Sequence, residues 1–178
     1  MNVSKISTDL QKASIVGDLN TVKNILSTVK EKWRIGHLDM DVLHLACKYG
    51  HSEIVDYMLD QFQRAPARIA QIFGFVCAYR QTHIIEHMIV RYIKALEPKD
   101  KLHCWNRGLA DACGANNEDI VDQMLQLGAN DFNEALNTAC ECGHEELAKR
   151  MIDLGANDRT YLIESKANEL IAYMNRNL

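Results

Sequence analysis

The sequence predicts an all-α fold: a solenoid of about five helix–turn–helix units closed by a shortened C-terminal unit. Three observations predict it. The 178 residues include only 2 prolines, which leaves room for long uninterrupted helices. Apolar residues recur at helical spacing, as in Ile54, Val55, Met58 and Leu59. The chain also repeats itself. Segments beginning at Ala13, Ala46, Val76, Ala112 and Ala139 align, and they bring Gly17, Gly50, Arg80, Asn116 and Gly143 to one register position at spacings of 33, 30, 36 and 27. A period in this range marks stacked supersecondary units, none of which can cover its own apolar stripe.

The elements follow in order. Unit one, about residues 6–35, starts with the Ala13 segment and carries Lys5, Asp9 and Lys12 on its outer side. In unit two, about 36–65, Val42, Leu43, Leu45 and Ala46 form one helical face; Gly50-His51 breaks it, and Ile54 to Leu59 restart it. Unit three, about 66–98, has Arg80 where the others have a flexible turn residue, which predicts a different turn. Units four and five, about 99–130 and 131–157, end in the same run: Leu127-Gly128-Ala129-Asn130-Asp131 recurs as Leu154-Gly155-Ala156-Asn157-Asp158. Glycine there suits the left-handed residue that closes a helix, and Asp131 with Glu134 three residues on predicts a capping box. A cap, about 158–178, follows. Its Asn168–Met174 segment matches Glu145–Met151 at a spacing of only 23, so the helix before it, about 159–165, is cut short. Polar terminal units are what an array needs to stop stacking end to end, and they predict a complete array forming a single repeat domain over 1–178.

Composition narrows the function. Apolar residues are 47% and charged residues 25%, an ordinary globular balance. A net charge of −4 disfavours a general nucleic-acid binder, which needs surplus Lys and Arg for phosphate contacts. The start, Met1 to Asp9, lacks the apolar core of a secretory signal. The longest apolar stretch, about 72–79, is far short of the ~20 residues that span a bilayer. The expectation is a cytoplasmic monomer with no nucleic-acid or membrane partner.

The repeated residues resemble the ankyrin repeat. Asp41-Val42-Leu43-His44-Leu45-Ala46 stands where that family has Thr-Pro-Leu-His-x-Ala, Gly50-His51-Ser52-Glu53-Ile54-Val55 matches Gly-His-x-x-Ile-Val, and Leu-Gly-Ala-Asn matches the repeat ending. The resemblance runs from about residue 6 to 178 and is clearest in units two and five. No unit keeps the signature proline. The spacing of 27 between units four and five leaves no room for the β-hairpin finger that the family places between units. Such short, finger-poor units are similar to those of large viruses and intracellular bacteria.

Packing explains the residues that look chemical. Cys47, Cys77, Cys113 and Cys140 share one register position, but stacked helices lie ~8–10 Å apart, beyond the ~7 Å limit for a disulfide between Cα atoms. A small, weakly polar residue filling a tight seam accounts for them. Cys140, Cys142 and His144 have closer spacing for a metal, yet no second ligand pair accompanies them. By the resemblance, His44, His51 and His144 bond backbone between turns. No nucleophile elbow, phosphate loop or zinc-hydrolase motif is present. The expectation is no enzyme, no cofactor and no metal.

The resemblance implies that contacts come from the positions following the small-residue pair and from the inter-unit loops. These are Ile15 and Val16, Lys48 and Tyr49, Ala78 and Tyr79, Gly114 and Ala115, Glu141 and Cys142. The loops add Trp33, Arg34 and His37, then Arg64 and Arg68, then His103, Trp105 and Asn106. Tyr49 and Tyr79 fall on adjacent units, and Tyr is a favoured hot-spot residue. Trp105, in a polar stretch, is the better anchor candidate of the two tryptophans, whereas Trp33 follows Val22, Leu26 and Val29 and is expected in the core. Charge is uneven: residues 62–107 carry a net +5 and residues 108–158 a net −9. The function expected is a non-catalytic protein–protein interaction scaffold that binds a partner protein on its concave face and inter-repeat loops. An alternative is a viral or bacterial effector acting in the host cytosol through the same surface. The least favoured is a metal or enzymatic site at Cys140, Cys142 and His144.

Overall fold

A computed structural model describes residues 3–29, 39–158 and 168–177. Trp33, Arg34, His37 and the expected short helix before the cap lie outside them. The described residues form helices and turns with no strand. The helices are α1 (Val3–Val16), α2 (Leu19–Thr28), α3 (Asp39–Tyr49), α4 (Ser52–Gln61), α5 (Pro66–Ala78), α6 (Thr82–Arg91), α7 (Pro98–Gly114), α8 (Glu118–Gln126), α9 (Phe132–Glu141), α10 (Glu145–Asp153) and α11 (Asn168–Asn177). A short 3₁₀ turn, Ile93–Ala95, links α6 to α7.

The helices pair in sequence, and the first helices of the pairs stack: α1 on α3, α3 on α5, α5 on α7, α7 on α9. The small residues that sequence comparison aligned make this stacking possible. Ala13, Ala46, Val76, Ala112 and Ala139 are all buried, and they join one continuous apolar core with the inward faces of the second helices. Burying such a stripe between neighbours supplies most of the stability of an array of this kind. At the end, α11 packs on α10, and Leu170 and Met174 are buried as their aligned partners Leu147 and Met151 are.

One turn joins the two helices of each of the five described pairs. Gly17, Gly50, Arg80, Asn116 and Gly143 all have positive φ, between 56° and 82°. After each, a backbone N–H closes on the buried small residue five positions back: Asp18 on Ala13, His51 on Ala46, Gln81 on Val76, Asn117 on Ala112 and His144 on Ala139, at 2.8–3.1 Å. This is the closing bond of a left-handed helix terminus. Arg80 therefore does not make a different turn, contrary to the expectation from its side chain. It accepts the left-handed conformation at φ 56° because the packed helices on either side dictate it.

The two prolines begin helices. Neither occupies the signature position, but Pro66 and Pro98 open α5 and α7, where a missing N–H costs nothing. These two helices run to 13 and 17 residues. They approach closely because Gly74 and Gly108 leave space between them. The Asp111 carboxylate lies 2.0 Å from where a Cβ on Gly74 would sit, and Phe73 Cε1 and Cys77 Sγ lie 3.0 and 3.1 Å from one on Gly108. Between α8 and α9 only residues 127–131 intervene, with no finger. Asp131 caps α9 through the Glu134 N–H at 3.2 Å, as expected.

Candidate interaction surface

Stacking five first helices in register lines up their C-terminal ends along one edge of the array. The positions two and three after the small residue form two parallel rows there: Ile15, Lys48, Ala78, Gly114 and Glu141, then Val16, Tyr49, Tyr79, Ala115 and Cys142.

Helix C-termini present unpaired carbonyls, and an edge made of them would normally be covered by water. Here the next unit satisfies them. His51 Nε2 donates to the Ile15 carbonyl at 2.8 Å, Gln81 Nε2 to Lys48 at 2.9 Å, Asn117 Nδ2 to Ala78 at 2.7 Å and to Cys77 at 3.0 Å, and His144 Nε2 to Gly114 at 3.0 Å. Three residue types thus perform one task at four seams. A carbonyl only accepts, so His51 and His144 carry their proton on Nε2. His83 adds a parallel bond to the Gly50 carbonyl at 3.1 Å. These bonds fix each unit's rotation on the last, and they leave the edge rigid with its backbone demand already met.

The rows are not uniform. Ile15, Val16 and Tyr49 are 38%, 72% and 46% exposed, which makes them three of the six large apolar side chains that are exposed among the described residues. Lys48 is exposed and holds its ammonium 5.9 Å from the Tyr49 ring centre. Ala115, Glu141 and Cys142 are exposed; Ala78 is half-buried.

Tyr79 behaves differently from Tyr49. Its ring meets His44 edge-on at 5.2 Å, its hydroxyl hydrogen-bonds His44 Nε2, and it packs on the core. Burial raises its pKa, with the nearby Cys47 thiol adding to the effect. Phe75 meets the same imidazole at 5.5 Å. His44 therefore bonds a side chain, not the backbone expected of it, and forms with Phe75 and Tyr79 an aromatic shelf between units two and three.

The loop candidates scatter. Trp105 is half-buried and packs edge-on against Phe73 at 5.5 Å, so only part of its surface is open to a partner. Arg68 is half-buried and bonds Gln71 Oε1 at 2.7 Å over the Phe62 ring. Arg64 is exposed but paired with Asp60 at 2.8 Å, and the Asp60 hydrogen bond raises its pKa. His103 is exposed near the start of α7. None of these four joins the row of helix ends.

Sequence reasoning missed a polar cluster on the second helices. Asp56 accepts from His87 Nε2 at 2.9 Å and from the Tyr92 hydroxyl at 2.6 Å, and Arg91 lies 3.5 Å away. Burial, then the hydrogen bond to Asp56, pushes the Tyr92 hydroxyl up to about 12. The only sequence signal was the spacing of 31 between Asp56 and His87, one repeat apart.

All six cysteines are free thiols. Burial pushes Cys47, Cys104 and Cys113 up to about 12, Cys77 well above its ordinary value and Cys140 to about 11. Among the described residues no group of three His, Cys, Asp or Glu side chains could hold a metal ion. No described helix is long and apolar enough to cross a membrane.

The family model for the ankyrin repeat matches residues 39–67, the stretch that holds α3 and α4. No curated protein matches the chain. Residues 39–67 are thus an ankyrin repeat, and helical pairs similar to it recur in the same register along the described stack.

Proposed function

We propose that this protein is a non-catalytic interaction scaffold that binds a partner protein along the edge and concave side of its first helices. An ankyrin repeat suggests a protein–protein role in general. The observation that carries the specific reading is the run of Ile15, Val16 and Tyr49, exposed on helix ends whose carbonyls the neighbouring unit has already satisfied. Apolar area on a rigid frame can be covered with little ordering cost, which is what favours binding. The units as delimited in the sequence serve as one continuous surface in this reading, and Lys48, Ala78, Ala115 and Glu141 border it.

Affinity capture with the full chain, followed by mass spectrometry, tests it. Wild type is compared with the double variant Ile15→Ser, Tyr49→Ala, both at exposed positions. The proposal expects a protein retained by wild type and lost from the variant, with unchanged circular dichroism. Equal retention by both would place the binding surface elsewhere.

A further inference from the structure

We infer that the partner segment is cationic at one end: an aromatic or aliphatic pair that sits on Ile15, Val16 and Tyr49, followed by Lys and Arg residues that reach units four and five. This inference rests on the reading above and gives it a chemistry and a direction.

The argument is the change of character along one edge. At units one and two the rows expose Ile15, Val16 and Tyr49, with Lys48 among them. At unit three the aromatic shelf continues them. At unit five the first row ends in Glu141, which is exposed. Beside it, the second helices begin at the same turns. Glu118 and Asp119 open α8, and Glu145 and Glu146 open α10, in equivalent register. Asp119 is paired with Arg80 at 3.0 Å and Asp122 with Arg150. Lys149 is shared between Glu145 and Glu146. Glu118 and Glu141 form no ion pair among the described residues, and both are exposed.

Acids in the first turn of a helix also interact favourably with its dipole, which accounts for Glu118 and Glu145. That does not account for Glu141, which sits in the last turn of α9, at the negative end of that helix. An exposed carboxylate there, at the negative end of its helix and with no ion pair among the described residues, favours a cation brought by a partner. The same negative charge opposes phosphate-rich and anionic-membrane surfaces. Stacked helices repeat every ~8–10 Å, so Tyr49 and Glu141 are about 30 Å apart along the edge. An extended chain covers that in about nine residues.

The test is selection from a random peptide library of about 16 residues, with the full chain immobilised. The inference expects enriched peptides to carry an aromatic or aliphatic pair and, some residues to one side, a Lys/Arg cluster. Their affinity should fall about tenfold in Tyr49→Ala. It should fall about two- to fivefold for each of Glu118→Gln and Glu141→Gln, and should decline with added salt. Enrichment of acidic or uncharged peptides, indifference to all three variants, or no enrichment would overturn it. A captured protein whose retention needs Ile15 and Tyr49 but survives both glutamine variants and high salt would overturn this inference alone and leave the interaction reading standing.

Discussion

The side-chain oxygen of Asn106 accepts two successive backbone N–H groups across the unit boundary, that of Asn130 at 2.7 Å and that of Asp131 at 3.1 Å. One repeat later Asn133 does the same for Asn157 at 2.8 Å and Asp158 at 2.9 Å. The amide nitrogens complete each pair by donating to Asn130 and Asn157. This clamp replaces the missing finger. It holds a five-residue connection that has no strand of its own.

Removing the clamp strands two donors at once. Asn106→Ala should cost about 1–2 kcal/mol, the lower part of the range for unsatisfied donors because Asn130 is exposed. Asn106→Asp keeps the accepting oxygen and should cost less. Urea unfolding of the three proteins checks the order; equal midpoints for Ala and wild type would refute it.

The left-handed turns separate backbone strain from crowding. At Gly143 nothing lies within 4 Å of an added Cβ, so Gly143→Ala should cost only the φ penalty, about 1–2 kcal/mol. At Gly17 the added methyl would meet the His51 ring at 2.6 Å and break the seam bond to Ile15. Gly17→Ala should therefore be the more destabilising, by about 1 kcal/mol or more, as thermal melts of the two variants would reveal.

Thiol reactivity should sort by burial. Cys47, Cys77, Cys104 and Cys113 are buried and their thiols are raised, whereas Cys142 is exposed. Iodoacetamide at neutral pH should add first to Cys142, and the four buried thiols should react only on unfolding. Mass spectrometry of peptides after timed quenching reads this directly; early labelling of Cys77 would contradict the packed seam.

Tyr92 predicts a loss of stability in alkali. Its hydroxyl is raised to about 12 from an ordinary value near 10, so the folded state holds this proton more tightly than the unfolded state. Its contribution is complete below pH 10 and declines as pH rises towards 12. Tyr92→Phe should flatten the fall in stability between those pH values, measured by urea midpoints at stepped pH. Parallel curves would mean that the Asp56 bond does not govern it.

The repeat made the array legible before any coordinates. The small residues from Ala13 to Ala139 and the turn positions from Gly17 to Gly143 lie where alignment put them, because a shape that recurs needs residues of recurring size. The Asp131 cap was readable for the same local reason. Arg80 was misread, and the exposure of Trp105 could not be read, because their surroundings come from other units: packed neighbours force Arg80 into a glycine conformation, and Phe73, a repeat away, packs on Trp105.

By itself, then, the sequence determined the five described helical pairs and their register, since these follow from apolar spacing and short-range turn chemistry. Tertiary structure alone decided which side chains stay exposed. Tyr49 and Tyr79 are equivalent in the repeat, yet only Tyr79 finds His44 beneath its hydroxyl. Exposure depends on what the adjacent unit places opposite each residue, and that is fixed by packing across 30 or more positions of chain.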